Sequence, residues 1–360
     1  MHFNRTQTIR AWTLLTTLLV TVLASASAFG QSWGGGKGSP VMRDVIPEMS
    51  DNEAYSERYG FAVDLDGGGH VGVDFTISNL GWGNGKGTVE VRVISANKQK
   101  YKFTKSFDDD EWSYNKGKFL IQMGTTKVQQ EGANSFRLTH KGEKSFDIVF
   151  DNKMPMWRPG RGKIKVGDDG YYEFNLIAPR ADVKGNVNGV AVTGLRNGYA
   201  DHVATNVEPY NFATRFTRMR NYNGDIFVMW REITLTKDAG GKSLTWVMVG
   251  YKDEIVFSDA RARLKEGRIK VDPLSNYRIP LSLQIDGKDG ADSIKLVMRG
   301  KTYKRTDLLD SYGDAAKLVA SAFAKPVRYT VDCDYQLQMT ISGSTATVSG
   351  DTHYVVDQIN

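Results

Sequence analysis

The residues best suited to chemistry lie together near the middle of the chain. Gly198-Tyr199-Ala200-Asp201-His202 places a carboxylate beside an imidazole after a glycine. Such a pair can give or take a proton near neutral pH. If the segment is a strand, adjacent side chains point to opposite faces, so one of the two faces away from any shared cavity. The sequence therefore leaves two readings open: an acid–base site, or a hydrogen-bonded pair at a domain junction.

An arginine-rich stretch follows this pair and leads into an aromatic segment. Arg215, Arg218 and Arg220 lie close together in this stretch, with Phe216 and Met219 between them, and precede Trp230. Guanidinium groups suit the polar head group of a ligand, but long basic side chains also extend to water at an exposed rim. The sequence is therefore compatible with arginines that bind a ligand head group and with arginines at an exposed rim.

Other reactive constellations are missing from the sequence. The single cysteine, Cys333, has no partner for a disulfide or for a thiolate metal site. No Gly-x-Ser-x-Gly motif occurs, and no histidine lies two or four positions from another. Asp108 to Glu111 lacks the spacing of a calcium loop, which favours a solvated turn. We therefore expect no metal, no cofactor and no serine triad.

The elements that must position these residues are strands. The 360 residues are 24% charged and 40% hydrophobic, as in an ordinary globular protein. Apolar and polar residues alternate with a period of two in many short segments, separated by Gly- and Asp-rich turns, which predicts an all-β sandwich or barrel. The clearest of these segments are 88–93, 227–233, 243–249, 294–298 and 335–341.

One segment has the period of a helix. Residues 310–323 begin with a capping candidate, carry apolar residues at helical spacing and end before Pro326. The pattern predicts a short amphipathic helix near the C-terminus, laid against the outside of a barrel.

The N-terminus has the pattern of a secretory signal peptide over residues 1–28. Arg5 and Arg10 precede an apolar stretch that ends in small residues, with cleavage expected between residues 26 and 30. A membrane anchor is the alternative, but the stretch is shorter than a span requires. We expect an exported protein, periplasmic or extracellular, without a stable membrane span, and residues 29–59 as a linker and lead-in. The 47 Lys and Arg against 41 Asp and Glu are too mild an excess to indicate nucleic acid.

Motifs typical of a known family lie at 146–151, 156–162, 171–174, 177–187, in the Gly-Tyr-x-Asp-His element at 198–202 and in the segment 213–230. In these motifs, over about 146–232, and in its layout over about 60–360, the chain resembles the tandem lipocalin-like, or calycin, proteins of the hydroxyneurosporene synthase, AttH and fungal survival-factor type. The chain departs from the enzymes of this group at 203–205, where Val-Ala-Thr replaces the usual Asn-Trp-Gly. The resemblance implies two consecutive antiparallel lipocalin-like β-barrels, expected over residues 60–195 and 196–360.

Such barrels hold an apolar guest, and the expected partner is therefore a lipid- or isoprenoid-like molecule. The candidate ligand-binding residues are Tyr199, His202, Arg215, Trp230 and Trp157, with Trp246 as a further lining candidate; each also suits plain core packing. We expect a non-enzymatic carrier. The alternative is a cofactor-free hydratase, isomerase or cyclase with Asp201 and His202 as acid and base, and a glycan-binding module is a third possibility. The sequence leaves the guest and the oligomeric state open.

Overall fold

The structure is a computed structural model that describes residues 32–34, 38–80, 84–311 and 326–359. The expected signal peptide at 1–28 lies outside the described residues. So does nearly all of the expected helix at 310–323, of which Asp310 and Ser311 belong to a 3₁₀ turn at Leu308–Ser311.

Strands make up almost all of the described chain, as the alternating pattern predicts. The first twelve are β1 (Ser56–Asp64), β2 (His70–Ser78), β3 (Lys86–Ile94), β4 (Lys100–Phe107), β5 (Trp112–Tyr114), β6 (Leu120–Met123), β7 (Thr126–Gly132), β8 (Ser135–His140), β9 (Phe146–Asn152), β10 (Lys163–Val166), β11 (Gly170–Val187) and β12 (Val190–Thr205). The other eight are β13 (Ala213–Asn223), β14 (Ile226–Leu235), β15 (Ser243–Tyr251), β16 (Glu254–Val271), β17 (Arg278–Asp289), β18 (Asp292–Asp307), β19 (Val327–Ile341) and β20 (Ser344–Gln358). A 3₁₀ turn at Met42–Val45 precedes them, and a one-turn helix, α1 (Pro209–Phe212), joins β12 to β13.

Strands β1 to β12 form one antiparallel sheet that curls into a nearly closed barrel. The order is β4-β3-β2-β1-β12-β11-β9-β8-β7-β6-β5, with β10 beside β11. The edge strands β4 and β5 are not hydrogen-bonded to each other, and side chains cover the gap at one end. Trp112 packs against Gly87, where a Cβ would lie 2.9 Å from the indole, and donates its Nε1–H to Gly85 O at 2.8 Å. The concave face is filled by aromatic and aliphatic side chains such as Phe61, Phe119 and Phe136.

Strands β13 to β20 form a closed eight-stranded barrel in sequence order, with β20 pairing back to β13. Alternate residues of every strand meet in one buried cluster, which includes Val228 and Trp230 of β14 and Val247 and Val249 of β15. This cluster lines the barrel interior.

A third buried cluster joins the outer face of this barrel to the first sheet. Phe227, Met229 and Ile233 of β14 alternate with the interior residues and pack with Phe174 and other side chains of β10 and β11. We call this contact between β10–β12 and β13–β15 the seam. Because β14 is covered on both faces, both sets of its alternating side chains are buried, and its first half, 226–230, is apolar throughout.

The chain changes sheets between Thr205 and Ala213. Strand β12 pairs with β1 and β11 of the first sheet along its length, past the boundary at residue 195 that the sequence suggests. The hydrogen bonding thus assigns the Asp201–His202 strand to the first sheet, whereas the limits of independently folding domains stay a prediction.

Candidate functional site

Asp201 and His202 project from opposite faces of β12, as neighbouring strand residues must. His202 lies on the concave side of the first sheet, like the core residue Ala200 two positions earlier. Asp201 lies on the seam side, where Arg231 of the barrel reaches it. Both side chains are buried. The adjacent pair in the sequence is therefore two separate sites in space.

Asp201 is held as a carboxylate by two guanidiniums and a phenol. Arg58 Nη1 donates to its Oδ1 at 2.9 Å, and Arg231 Nη2 and Tyr199 OH donate to its Oδ2 at 3.2 and 2.9 Å. Burial alone would raise the pKa of Asp201, but Arg58 and Arg231 outweigh it and lower the pKa. An acid that must deliver a proton needs the opposite shift, so Asp201 is unsuited to protonating an alkene.

The Arg58–Asp201 ion pair belongs to a chain of alternating charges on the seam side of the first sheet. Arg58 also contacts Asp74, and Asp74 accepts from Arg92 Nη2 at 2.6 Å. Arg92 in turn contacts Glu90 of the same strand. The register explains this arrangement: Asp74 lies opposite Glu90 in the ladder, and two like charges in that position repel unless cations intervene.

His202 belongs to a buried polar network that the sequence did not suggest. Its Nε2 lies 2.7 Å from Glu57 Oε1, and its Nδ1 lies 3.2 Å from the Asn175 amide nitrogen. Glu57 also accepts hydrogen bonds from Tyr55 OH at 2.5 Å and Tyr59 OH at 2.6 Å. Burial and the Glu57 charge raise the pKa of both tyrosines, which stay protonated donors. The Tyr59 ring stacks on the imidazole at 4.8 Å.

The partners of both sites are distant in sequence, which is why sequence reasoning missed them. Glu57 and Arg58 precede the pair by about 145 residues, and Arg231 follows it by 30. The only local signal is the alternation in Glu57-Arg58-Tyr59, which gives β1 one charge on each face.

The remaining candidate ligand-binding residues fall into two places. Trp230 lies in the barrel cluster, and Arg215 of β13 reaches Glu232 of β14 at 3.2 Å and also contacts Glu266 of β16. Tyr199 and Trp157 lie in the seam, where Trp157 packs on Trp246 with ring centroids 5.0 Å apart. The structure therefore does not assemble the five into one pocket.

Aromatic side chains occupy the space beside His202, which the sequence suggests as a ligand-binding residue. Tyr59, next to His202, packs on Phe119 at 5.4 Å, and Phe119 packs on Phe136 at 5.5 Å. Two surface depressions, of about 540 and 360 Å³, are lined by other residues, including Lys127 and Arg137 in the first and Asn206 in the second.

Among the described residues, no group of three or more His, Cys, Asp or Glu side chains is placed to hold a metal ion. Within the same part of the chain, no helix has the length and apolar character needed to cross a membrane.

Comparison with known proteins identifies the architecture. The fold matches a protein described as an AttH from Nitrosomonas europaea (13% identity, 89% of this chain and 99% of that one, TM-score 0.52). It also matches kievitone hydratase from Nectria haematococca (10% identity, 92% and 98% covered, TM-score 0.50) and CghA with Sch210972 (9% identity, 92% and 97% covered, TM-score 0.54). No family model and no curated protein sequence matches the chain. The protein therefore has the tandem lipocalin-like barrel fold, as the resemblance implied.

Proposed function

We propose that this protein is an exported, non-catalytic carrier that holds an apolar small molecule inside the closed barrel. The observation that carries the proposal is the indole of Trp230, which is buried in the barrel cluster with no hydrogen-bond partner for its Nε1–H among the described residues. An unpaired buried donor costs about 1–3 kcal/mol, and a guest with an acceptor oxygen would recover that cost.

The surroundings of Trp230 suit such a guest. Met219 lies directly opposite it in the ladder, and Met298 belongs to the same buried cluster. Thioether side chains are flexible and rearrange at little cost, so they can make room in a packed barrel. The expected guest has an apolar body and one carbonyl or carboxylate oxygen.

The catalytic alternative is weaker at Asp201 than at His202. Asp201 has a lowered pKa and no free proton to give, whereas the His202–Glu57 pair retains the residues of a general base. One neighbour in fold is a hydratase, which keeps this reading open as the second candidate. It requires a substrate to reach His202 by displacing the aromatic rings beside it.

The test compares two tryptophans that differ in location. We expect the purified protein to bind a fluorescent fatty-acid probe, and Trp230→Phe to weaken that affinity about three- to tenfold because the acceptor loses its donor. Trp246→Phe is the matched control: its Nε1–H is also unpartnered, but the ring lies in the seam. Equal losses in both variants, or no probe binding by the wild type, would contradict the carrier. Turnover of an unsaturated substrate that is abolished by His202→Asn would favour the enzyme.

A further inference from the structure

The barrel and the first sheet together present a group of arginines along the edge of the seam. Arg58 belongs to the first sheet, and Arg218, Arg220 and Arg328 belong to β13 and β19 of the barrel. We call these four residues the arginine cluster. They are linked through shared carboxylates: Arg218 and Arg328 both bind Asp357, and Arg58 and the buried Arg231 both bind Asp201.

The arginine side chains of this cluster are partly exposed, whereas the carboxylates that they bind are more deeply buried. The side chains of Arg58, Arg218 and Arg328 are 38%, 33% and 37% exposed, whereas those of Asp74, Asp201 and Asp357 are 15%, 3% and 8% exposed. Each guanidinium has five N–H donors, and these contacts use only some of them. The solvent side of the cluster therefore offers further N–H donors, and the exposed carboxylate of Asp64, which interacts electrostatically with Arg220, lies nearby.

Arg220 contributes a cation with no carboxylate within salt-bridge distance among the described residues. Its guanidinium carbon lies 4.3 Å from the centre of the Tyr199 ring and 5.8 Å from that of Tyr222. Stacking on two rings fixes the plane of the guanidinium and leaves its edge free for hydrogen bonds. Tyr199 in turn is tied to Asp201, which links Arg220 to the rest of the cluster.

The arginines also act on one another, as an excess of positive charge requires. Burial lowers the pKa of Arg218, and Arg328 and Arg231 lower it further against the opposing effect of Asp357. Asp357 raises the pKa of Arg328 against burial, and Arg58 of the first sheet acts to lower it. An added anion would relieve this repulsion.

We propose that the arginine cluster is a binding site for an oxyanion: a phosphate group, either free or carried by a lipid head group. Planar guanidiniums bind such oxygens through paired, charge-assisted hydrogen bonds. The site lies outside the barrel, so this proposal does not depend on a guest at Trp230.

The experiment titrates full-length purified protein with inorganic phosphate at constant ionic strength, against chloride, and follows binding by calorimetry. We expect phosphate to bind and Arg220→Gln to weaken it about tenfold or more, with Arg220→Lys between the two. Replacing Arg220 strands no buried carboxylate, so the variant should fold. Arg299→Gln is the matched control and should bind as the wild type does, because Arg299 lies on β18 several residues along the strand from Thr306, the ladder partner of Arg328.

Two outcomes overturn the proposal: no binding of phosphate beyond chloride, or equal weakening by Arg220→Gln and Arg299→Gln. A second arm identifies the source of the phosphate. Sedimentation with phosphatidylglycerol vesicles but not with phosphatidylcholine vesicles, lost in Arg220→Gln, assigns the site to a lipid head group. Binding of inorganic phosphate without sedimentation assigns it to a free anion.

Discussion

The guanidinium of Arg58 lies over Gly60, in the space that a side chain at that position would fill. A Cβ built on Gly60 would touch Arg58 Nη2 and would come 2.6 Å from Asp201 Oδ1. In the ladder, Gly60 is the residue between Asp74 on β2 and Asp201 on β12. Because Gly60 has no side chain, Arg58 can lie over it and bridge Asp74 and Asp201, which flank Gly60 on the two neighbouring strands.

This relationship predicts that Gly60→Ala destabilises the protein. The added methyl group must push Arg58 away from both carboxylates, and overpacking of this kind costs about 1–3 kcal/mol. Urea unfolding followed by tryptophan fluorescence measures the change. Gly67→Ala is the control, because a Cβ there meets nothing within 4 Å. If both variants unfold at the same urea concentration as the wild type, the close approach at Gly60 is not real.

Acid stability should depend on Asp357. Arg218 and Arg328 overcome the effect of burial and lower the pKa of Asp357 to about 2. A carboxyl with a lowered folded-state pKa stabilises the protein above its unfolded value, near 4, and that contribution is lost as the pH falls toward 2. We expect the melting temperature of the wild type to fall over this window. Asp357→Asn should have a lower melting temperature than the wild type at pH 7, and its melting temperature should fall less on acidification. Parallel curves of melting temperature against pH for the two proteins would contradict this role of Asp357.

The Glu57 network should contribute to the stability of the first sheet. Tyr59→Phe removes a donor 2.6 Å from a buried carboxylate oxygen while keeping the ring that stacks on His202. A hydrogen bond to a charged group is worth about 1.5–3 kcal/mol, and we expect a loss in that range in denaturant unfolding. Tyr251→Phe, on an exposed ring of the barrel, should change nothing measurable. A loss of similar size in both would mean that the Tyr59 hydroxyl has no special role.

The sequence predicted the elements better than the site. The segments at 227–233 and 243–249 are strands because their alternation is set by a local period. Alternation also required Asp201 and His202 to diverge. It could not tell that Trp230 enters the barrel while Trp246 enters the seam, because both faces of these strands are apolar. Which apolar face meets which partner depends on how the two sheets pack, and therefore on residues distant in the sequence, such as Trp157 and Phe174 beside Trp246.

Arg180 couples the two sheets through backbone carbonyls. It is fully buried on β11 and donates to Asp225 O at 2.8 Å and Lys252 O at 3.1 Å, and also to Gly224 O at 2.5 Å. These carbonyls lie in the β13–β14 and β15–β16 turns of the barrel. Burial, and then Arg196, lower the pKa of Arg180, which has no carboxylate within salt-bridge distance among the described residues. Its role is therefore to satisfy turn carbonyls of the barrel from the first sheet.

We expect Arg180→Lys to uncouple the unfolding of the two sheets. A lysine keeps the charge but lacks the planar fork, so it cannot reach both turns at once, and buried carbonyls lose their donors. Calorimetry should then resolve two transitions where the wild type shows one, because the contact that makes the sheets cooperative is weakened. Arg196→Lys, at the exposed pair with Asp225, should leave the wild-type profile unchanged. A single transition in Arg180→Lys, merely shifted to lower temperature, would show that the apolar seam alone holds the sheets together.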